Sequence, residues 1–485
     1  MEKYTQMRPI CIGLIAAILP TGLVGGCALG PDYKRPEMSS VPTTFRAQLT
    51  PAEANSFADL PWWSAFNDPA LQALISEAVS SNYDLQIAVA RIEQARAELG
   101  VVRSEALPQL DYSAGAGAGR GLVQGRDSVA ATTVGTISAG LNAAWEIDLW
   151  GRIRRSTEAA RANLLSQEYV RRGVMLSLVT DVANGYFRLV ELDRELAISN
   201  DSTRVFKGSL DLFSSRFEAG RDSNLPVQRA QANYDESRAR SAELQRQIAL
   251  QENALSVLLG SYPRAILRGR QLTDQTVPAT PLGASSDLLQ RRPDILAAEQ
   301  NMIAANAEIG VAVANFFPRI GLSAFFGAQG IRLAGESSAF GVWSAGLAAT
   351  GPIFNGGRLK ATYNGRKAFW DESVAQYRKT VLIAFQETSD ALAAQQTLVD
   401  RRAALEAQVV ALRSAGDLAS TRYDGGRATY FEVLEAQQQL FPAEQALAQT
   451  QRDQLVAVVN LYKALGGGWK QTPAEWAHPT KVAGG

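Results

Sequence analysis

Two apolar periods run through this chain, one of two residues and one of helical spacing, and both occur in the same order twice. In the first short-period stretch Leu110, Tyr112, Ala114, Ala116 and Ala118 share one face, with Asp111, Ser113, Gly115 and Gly117 on the other. Next, Ile137, Ala139, Leu141, Ala143 and Trp145 oppose Ser138, Gly140, Asn142 and Glu146. In the second half Ile320, Leu322, Ala324, Phe326 and Ala328 oppose Gly321, Ser323, Gly327 and Gln329. Trp343, Ala345, Leu347 and Ala349 then oppose Ser344, Gly346 and Thr350. Apolar residues alternating with small polar ones over about ten positions are the pattern of a membrane-spanning β-strand. By periodicity alone the same pattern also suits two amphipathic hairpins packed on a soluble core.

These hairpins, about 109–146 and about 318–353, lie between helical stretches. The spacing predicts a first helix from Asp84 to Leu107, and its counterpart from Asp294 to Phe316, each stopped by Pro108 or Pro318. After each hairpin comes a proline-free stretch, 152–219 and 358–424. About 67 residues of helix make a rod of roughly 100 Å, longer than any compact domain's core. Heptad-like patches such as Val182, Leu189, Leu192 and Leu196 point to coiled-coil packing. Each rod is expected to reverse at Gly220 or at Gly425-Gly426. It then returns as a shorter helix, about 224–260 and 430–465, ending at Gly260 or Gly466. Leu455, Val458, Tyr462 and Leu465 give the second returning helix an apolar seam.

The halves are similar residue by residue. Arg216-Phe217-Glu218-Ala219-Gly220-Arg221 recurs as Arg422-Tyr423-Asp424-Gly425-Gly426-Arg427, and Gly151-Arg152-Ile153 as Gly357-Arg358-Leu359. A repeat of about two hundred residues is a duplicated domain, not a solenoid of short units. Four membrane strands per chain cannot close a barrel, since unpaired edges are intolerable in hydrocarbon, so such a chain must oligomerise.

Composition narrows the setting. Lysine plus arginine and aspartate plus glutamate number 48 each, a balance that gives no sign of a nucleic-acid partner. The cysteines are Cys11 and Cys27. Residues 1–26 read as a secretion leader, with Lys3 and Arg8 ahead of an apolar run from Ile10 to Leu19 that is too short to span a membrane. Leu23-Val24-Gly25-Gly26-Cys27 resembles a lipobox, so Cys27 is the expected site of a covalent lipid, and Ala28 after it fits outer-membrane sorting. His478 is the single histidine, which leaves no His-based triad or metal cluster. Gly115, Gly117 and Gly119 lack the following Gly-Lys-Ser/Thr of a phosphate loop. Asp371 and Glu372 sit on a solvated helix with no sugar platform. Neither an enzyme nor a cofactor is expected.

Taken together, Cys27 with Gly30-Pro31-Asp32-Tyr33-Lys34-Arg35-Pro36, the Trp62-Trp63 pair near Phe66-Asp68-Pro69, Arg291-Arg292-Pro293-Asp294 and Phe354-Asn355-Gly356-Gly357-Arg358 resemble the TolC-like outer-membrane factors, in their NodT-like lipoprotein branch. The resemblance implies an α+β membrane protein. It would be a homotrimer with a shared twelve-stranded barrel, a long coiled-coil helical tunnel in the periplasm and a small mixed equatorial domain. The chain then divides into a leader (1–26), a lipid-anchored and equatorial segment (27–83), a first repeat (84–265), an equatorial connector (266–293), a second repeat (294–466) and an equatorial tail (467–485). Implied partners are outer-membrane lipid, a periplasmic adaptor or membrane fusion protein, and an inner-membrane transporter of the RND type. The implied function is that of a passive efflux duct. The resemblance also places a periplasmic gate at Glu432 and Glu435, with Phe431 as an apolar constriction, where family members commonly carry aspartate. Adaptor docking falls on the turns at Gly220, Arg221, Gly425, Gly426 and Arg427. The alternative is a coiled-coil lipoprotein that scaffolds the envelope, or serves as an adaptor, without a pore.

Overall fold

The computed structural model describes residues 28–37, 66–124, 129–278, 291–333 and 336–467. Cys27, Trp62, Trp63 and His478 lie outside the described residues. In chain order come α1 (Pro69–Ser81), α2 (Tyr83–Ser104), β1 (Gln109–Gln124), β2 (Val129–Ile147), α3 (Arg152–Glu218), α4 (Asn224–Leu258), a 3-10 turn (Leu272–Asp274), α5 (Pro293–Ala314), β3 (Arg319–Leu333), β4 (Glu336–Thr350), α6 (Arg358–Asp424) and α7 (Tyr430–Ala464). The described residues are mostly helical, with one small sheet. They fall into two compact units. One holds the strands, in Arg103–Ser156 and Glu308–Tyr363, together with the chain up to Pro31; the other holds most of the helices.

In the strand unit a four-stranded antiparallel sheet has the order β1-β2-β3-β4. Its register sets Tyr112 opposite Leu141, Leu141 opposite Phe326 and Phe326 opposite Trp343, so the apolar faces of all four strands coincide. Tyr112, Phe326 and Trp343 on that face are exposed. The opposite face is polar or small over most of β1 and β2, with Val134 as an apolar residue on it. On β3 and β4 it also carries Phe325, Ile331, Phe340 and Val342, which break the alternation expected there. The Phe325 ring packs against Gly140, where a Cβ would come within 2.6 Å of it. Among the described residues, a four-stranded sheet of this register leaves both β1 and β4 as unpaired edges.

The first helix of each repeat ends earlier than its proline suggests. α2 stops at Ser104 and α5 at Ala314. The next N–H groups turn back three residues, Leu107 to Ser104 and Phe317 to Ala314, each at 3.0 Å. A residue before proline disfavours helical backbone, and the last turn tightens to meet that constraint. One element escapes the sequence reading. Asp68-Pro69 opens α1 as N-cap and first residue inside a stretch read only as a segment. α7 runs through Pro442 without a break.

In the helical unit one core joins α1, α3, α4 and α7, built on Leu71, Ile75, Val182, Tyr186, Phe187, Leu255, Val458 and Tyr462. Leu192 is buried as its heptad position requires. Two charged residues of α3 are buried as well, Glu191 and Glu195. Glu195 accepts from Arg240 Nη2 at 2.9 Å and from Gln449 Nε2 at 2.7 Å. Glu191 pairs with Arg188, and Arg452 Nη1 lies 3.7 Å from its carboxylate. Burial pushes the Glu191 carboxyl up to about 7 against the pull of those guanidiniums, and the Glu195 carboxylate adds to the rise. A carboxyl raised on folding contributes stability that is full below its unfolded pKa and lost as pH climbs through the folded one. Between pH 5 and 8 the protein is therefore expected to lose on the order of 2 kcal/mol from this site. Thermal unfolding across that range checks it, with Glu191→Gln flattening the profile.

Candidate functional site

The residues expected from the family resemblance to form a gate and docking turns all lie where the long helices reverse. α3 ends with Gly220 at φ +68°, and α6 with Gly426 at φ +64°. At the first turn Gly220 N–H bonds Phe217 O at 2.9 Å, and Arg221 N–H bonds Arg216 O at 2.8 Å. Gly426 to Tyr423 and Arg427 to Arg422 repeat these bonds at 2.9 and 2.8 Å. Both turns are Schellman motifs, which satisfy the last carbonyls of a helix and require one left-handed residue. Gly425 is not that residue, since its φ is not positive and it occupies the place of Ala219. The Gly425-Gly426 pair therefore reduces to one conformational requirement. Gly426→Ala is expected to cost about 1–2 kcal/mol locally. Tryptic cleavage after Arg422 or Arg427 would then rise roughly 5- to 30-fold, while Gly425→Ala leaves it unchanged.

The turns of the two repeats are tied to each other by aromatic side chains. Tyr430, first residue of α7, packs edge-on against Phe213 of α3 at 4.7 Å and Tyr423 of α6 at 5.1 Å. Its hydroxyl bonds Ser209. Arg216 sits over the Tyr423 ring at 5.2 Å, a cation–π contact between equivalent ends of the duplication. Asn233 and Gln438 join α4 to α7 at 3.1 Å.

On this frame Glu432 lies in the first turn of α7, where the helix dipole favours a carboxylate. Its Oε2 is 3.2 Å from Arg422 Nη1, so it closes the second turn by an ion pair. Glu435 is exposed and accepts from Gln439 Nε2 at 3.5 Å. Phe431 is 58% exposed, an apolar ring left outside the aromatic cluster. Arg221 and Arg427 are exposed at the turn tips. Glu432 and Glu435 thus belong to one short stretch of helix surface, as read from sequence. Tyr430 and Phe213, which fix its position, went unread because their contact joins separate repeats.

The N-terminal strap is held in two places. In the strand unit Leu29 N–H bonds Trp150 O at 3.1 Å, and Arg155 Nε donates to Leu29 O at 3.2 Å. In the helical unit Arg35 grips Glu299 with two bonds, Nε at 2.7 Å and Nη2 at 2.6 Å, and Tyr33 donates to the same carboxylate at 3.0 Å. These contacts account physically for the Tyr33 and Arg35 positions of the N-terminal motif. Among the described residues no group of His, Cys, Asp and Glu is arranged to hold a metal ion, and no helix is long and apolar enough to cross a membrane.

A membrane-type sheet with free edges, joined to paired helical hairpins, defines a class of envelope channel protein, and comparison with known proteins gives the family. The outer membrane efflux protein family matches residues 74–261 and 284–467, one match in each half of the duplication. The toluene efflux pump outer membrane protein TtgC of Pseudomonas putida is 35% identical over 473 residues, covering 94% of this chain and 96% of that protein. The cation efflux system protein CusC of Escherichia coli is 33% identical over 471 residues, covering 96% and 99%. The solved outer-membrane channel OprN superposes with a TM-score of 0.82 at 32% identity, over 91% of this chain and all of that one. The chain belongs to the outer membrane efflux protein family. It is an outer-membrane channel component of an efflux system, in a family of channels rather than enzymes.

Proposed function

We infer that the protein is a passive exit duct, a homotrimer whose copies share one twelve-stranded barrel. The observation that carries this reading is the sheet order β1-β2-β3-β4, with an apolar face on every strand and an unpaired edge on each side. In hydrocarbon each unsatisfied backbone group costs several kcal/mol, and closure among three copies removes both edges. The helical hairpins form the periplasmic part, and their tips meet a periplasmic adaptor through Gly220, Arg221, Gly426 and Arg427. An inner-membrane transporter, of the RND type by family resemblance, supplies the energy. At the periplasmic mouth the three copies of Glu432 and Glu435 form acidic rings, with Phe431 as the apolar constriction. Cys27 carries the lipid anchor; the Leu29, Tyr33 and Arg35 contacts supply the ordered strap behind it. No cofactor takes part.

Cargo is set elsewhere in the pump. The names of TtgC and CusC refer to toluene and to cations, at nearly equal identity to this chain. A channel chain common to such different cargoes is at most a coarse filter. Electrophoresis of unboiled membranes together with density fractionation tests the reading. A heat-resistant trimer in outer-membrane fractions is the expected result, whereas a monomer released by mild salt would favour the scaffold alternative.

A further inference from the structure

The apolar face of the sheet is bordered differently at its two ends. A row of Tyr112, Leu141, Phe326 and Trp343 crosses all four strands, near the helix-connected end of β1 and β2 and at the middle of β3 and β4. Toward the hairpin-loop end the same face carries Arg120 on β1, directly opposite Thr133 of β2. It also carries Arg332 on β3, opposite Gly135 of β2 and Ser337 of β4. Arg120 shares the parity of Leu110 and Tyr112, and Arg332 that of Leu322 and Phe326. The Arg332 side chain does leave the sheet on that side, because a Cβ at Gly135 would touch its Cβ at 3.5 Å. Among the described residues of the four strands, these are the charged side chains of the apolar face. Asp111, Glu146 and Arg319 have the opposite parity. Neither guanidinium has a hydrogen-bond or ion-pair partner among the described residues, and Arg120, Thr133, Arg332 and Ser337 are all exposed.

Height decides what these arginines meet. An arginine on the lipid face costs about 2–4 kcal/mol at the bilayer midplane and about 0–1 near an interface. From Leu110 to Arg120 the strand rises about 34 Å. A tilt of about 40° reduces that to about 26 Å, close to the apolar band of about 25 Å in barrels of this kind. Arg120 therefore emerges at the headgroups of the leaflet remote from the helices. Two strand spacings and a two-residue offset separate the Cα atoms of Arg120 and Arg332 by roughly 12 Å. Two long side chains on that footing can converge on one headgroup with two phosphates, flanked by the Thr133 and Ser337 hydroxyls. Guanidinium matches phosphate in geometry and charge.

We propose that Arg120 and Arg332, with Thr133 and Ser337, form a binding strip for the phosphorylated headgroup of an outer-leaflet lipid. This rests on the barrel reading above, because only a membrane-embedded sheet presents that face to lipid. The strip would give the barrel a cationic girdle at the hairpin-loop end of its strands, fixing its depth in an asymmetric membrane.

The test uses native mass spectrometry of the full-length protein purified in detergent, with bisphosphorylated lipid A, its monophosphorylated form and phosphatidylcholine as probes. Bisphosphorylated lipid A is expected to bind best, and Arg120→Gln with Arg332→Gln to weaken it by about tenfold or more. Arg120→Lys with Arg332→Lys is expected to keep most of the binding, and millimolar inorganic phosphate to leave it intact. Equal binding of all three lipids by a wild-type trimer, undiminished binding by the glutamine variant, or displacement by inorganic phosphate would overturn the strip and leave the channel reading standing. Absence of any trimer would overturn both.

Discussion

Replacing Glu432 and Glu435 together with alanine is expected to raise the resting single-channel conductance in planar bilayers several-fold and to reduce its preference for cations. In the proposed trimer three copies would bring six carboxylates around one axis, and rings of like charge at a constriction select ions by sign. The substitutions are expected to act on the proposed gate without unfolding the turn. The Glu432–Arg422 pair is 42% and 58% exposed, and a pair so exposed stabilises by about 1 kcal/mol at most. The reversal itself is held by backbone bonds at Arg427 and Gly426, together with the Tyr430 aromatic contacts. Arg422→Ala offers a contrast, because it frees Glu432 and is expected to strengthen cation preference. Unchanged conductance and selectivity in the double variant would place the constriction elsewhere.

A second large effect is expected at Asp68, whose replacement by alanine is predicted to cost about 3–5 kcal/mol of stability. Asp68 is fully buried. It accepts from Tyr186 Oη at 2.8 Å, Gln275 Nε2 at 2.7 Å, Arg270 N at 3.4 Å, and the Ala70 and Leu71 N–H groups of α1 at 3.0 and 3.4 Å. Tyr186 in turn accepts from Gly269 N–H at 2.9 Å. Alanine removes a helix cap worth about 1 kcal/mol and leaves buried donors unpaired at about 1–3 kcal/mol each. Asp68→Asn keeps an acceptor but turns an NH2 toward other donors, so an intermediate loss is expected. Burial alone would raise the Asp68 carboxyl; the hydrogen bonds from Gln275, Tyr186, Arg270 and Leu71 outweigh it and hold the group below the usual range. Its contribution is therefore present at neutral pH and lost as pH falls through that lowered value, the reverse of the Glu191 profile. Thermal unfolding of the purified variants measures both.

What could be read in advance follows from how local each signal is. Period-two alternation fixed the two hairpins, and the lack of proline fixed α3 and α6, because both signals belong to a single element. Phe325, Phe340 and Val342 were hidden, since an aromatic ring packed against Gly140 needs the neighbouring strand to be seen. Glu191 and Glu195 carry no local sign of burial, because the partners that cover them come from α4 and α7. Proline within α7 contradicts its own helix signal, and only the packing of the helix overrides it. Glu432, Glu435 and Phe431 could be placed just past a glycine turn from sequence alone, and the structure has them there. The Arg422 pair and the Tyr430 cluster could not be read that way, because they depend on how α6 turns into α7 and how the two repeats meet.

Disulfide cross-linking across the free sheet edges puts the shared wall to its most direct test. Cysteine pairs drawn from the apolar face of β1, such as Tyr112 and Ala116, and of β4, such as Ala345 and Leu347, cannot meet within one chain, because β2 and β3 lie between them. Scanning such pairs under oxidation is predicted to yield, for at least one register, covalent trimers that resist boiling without reductant. If every register left only monomers while the protein remained in the outer membrane, three copies would not share a barrel.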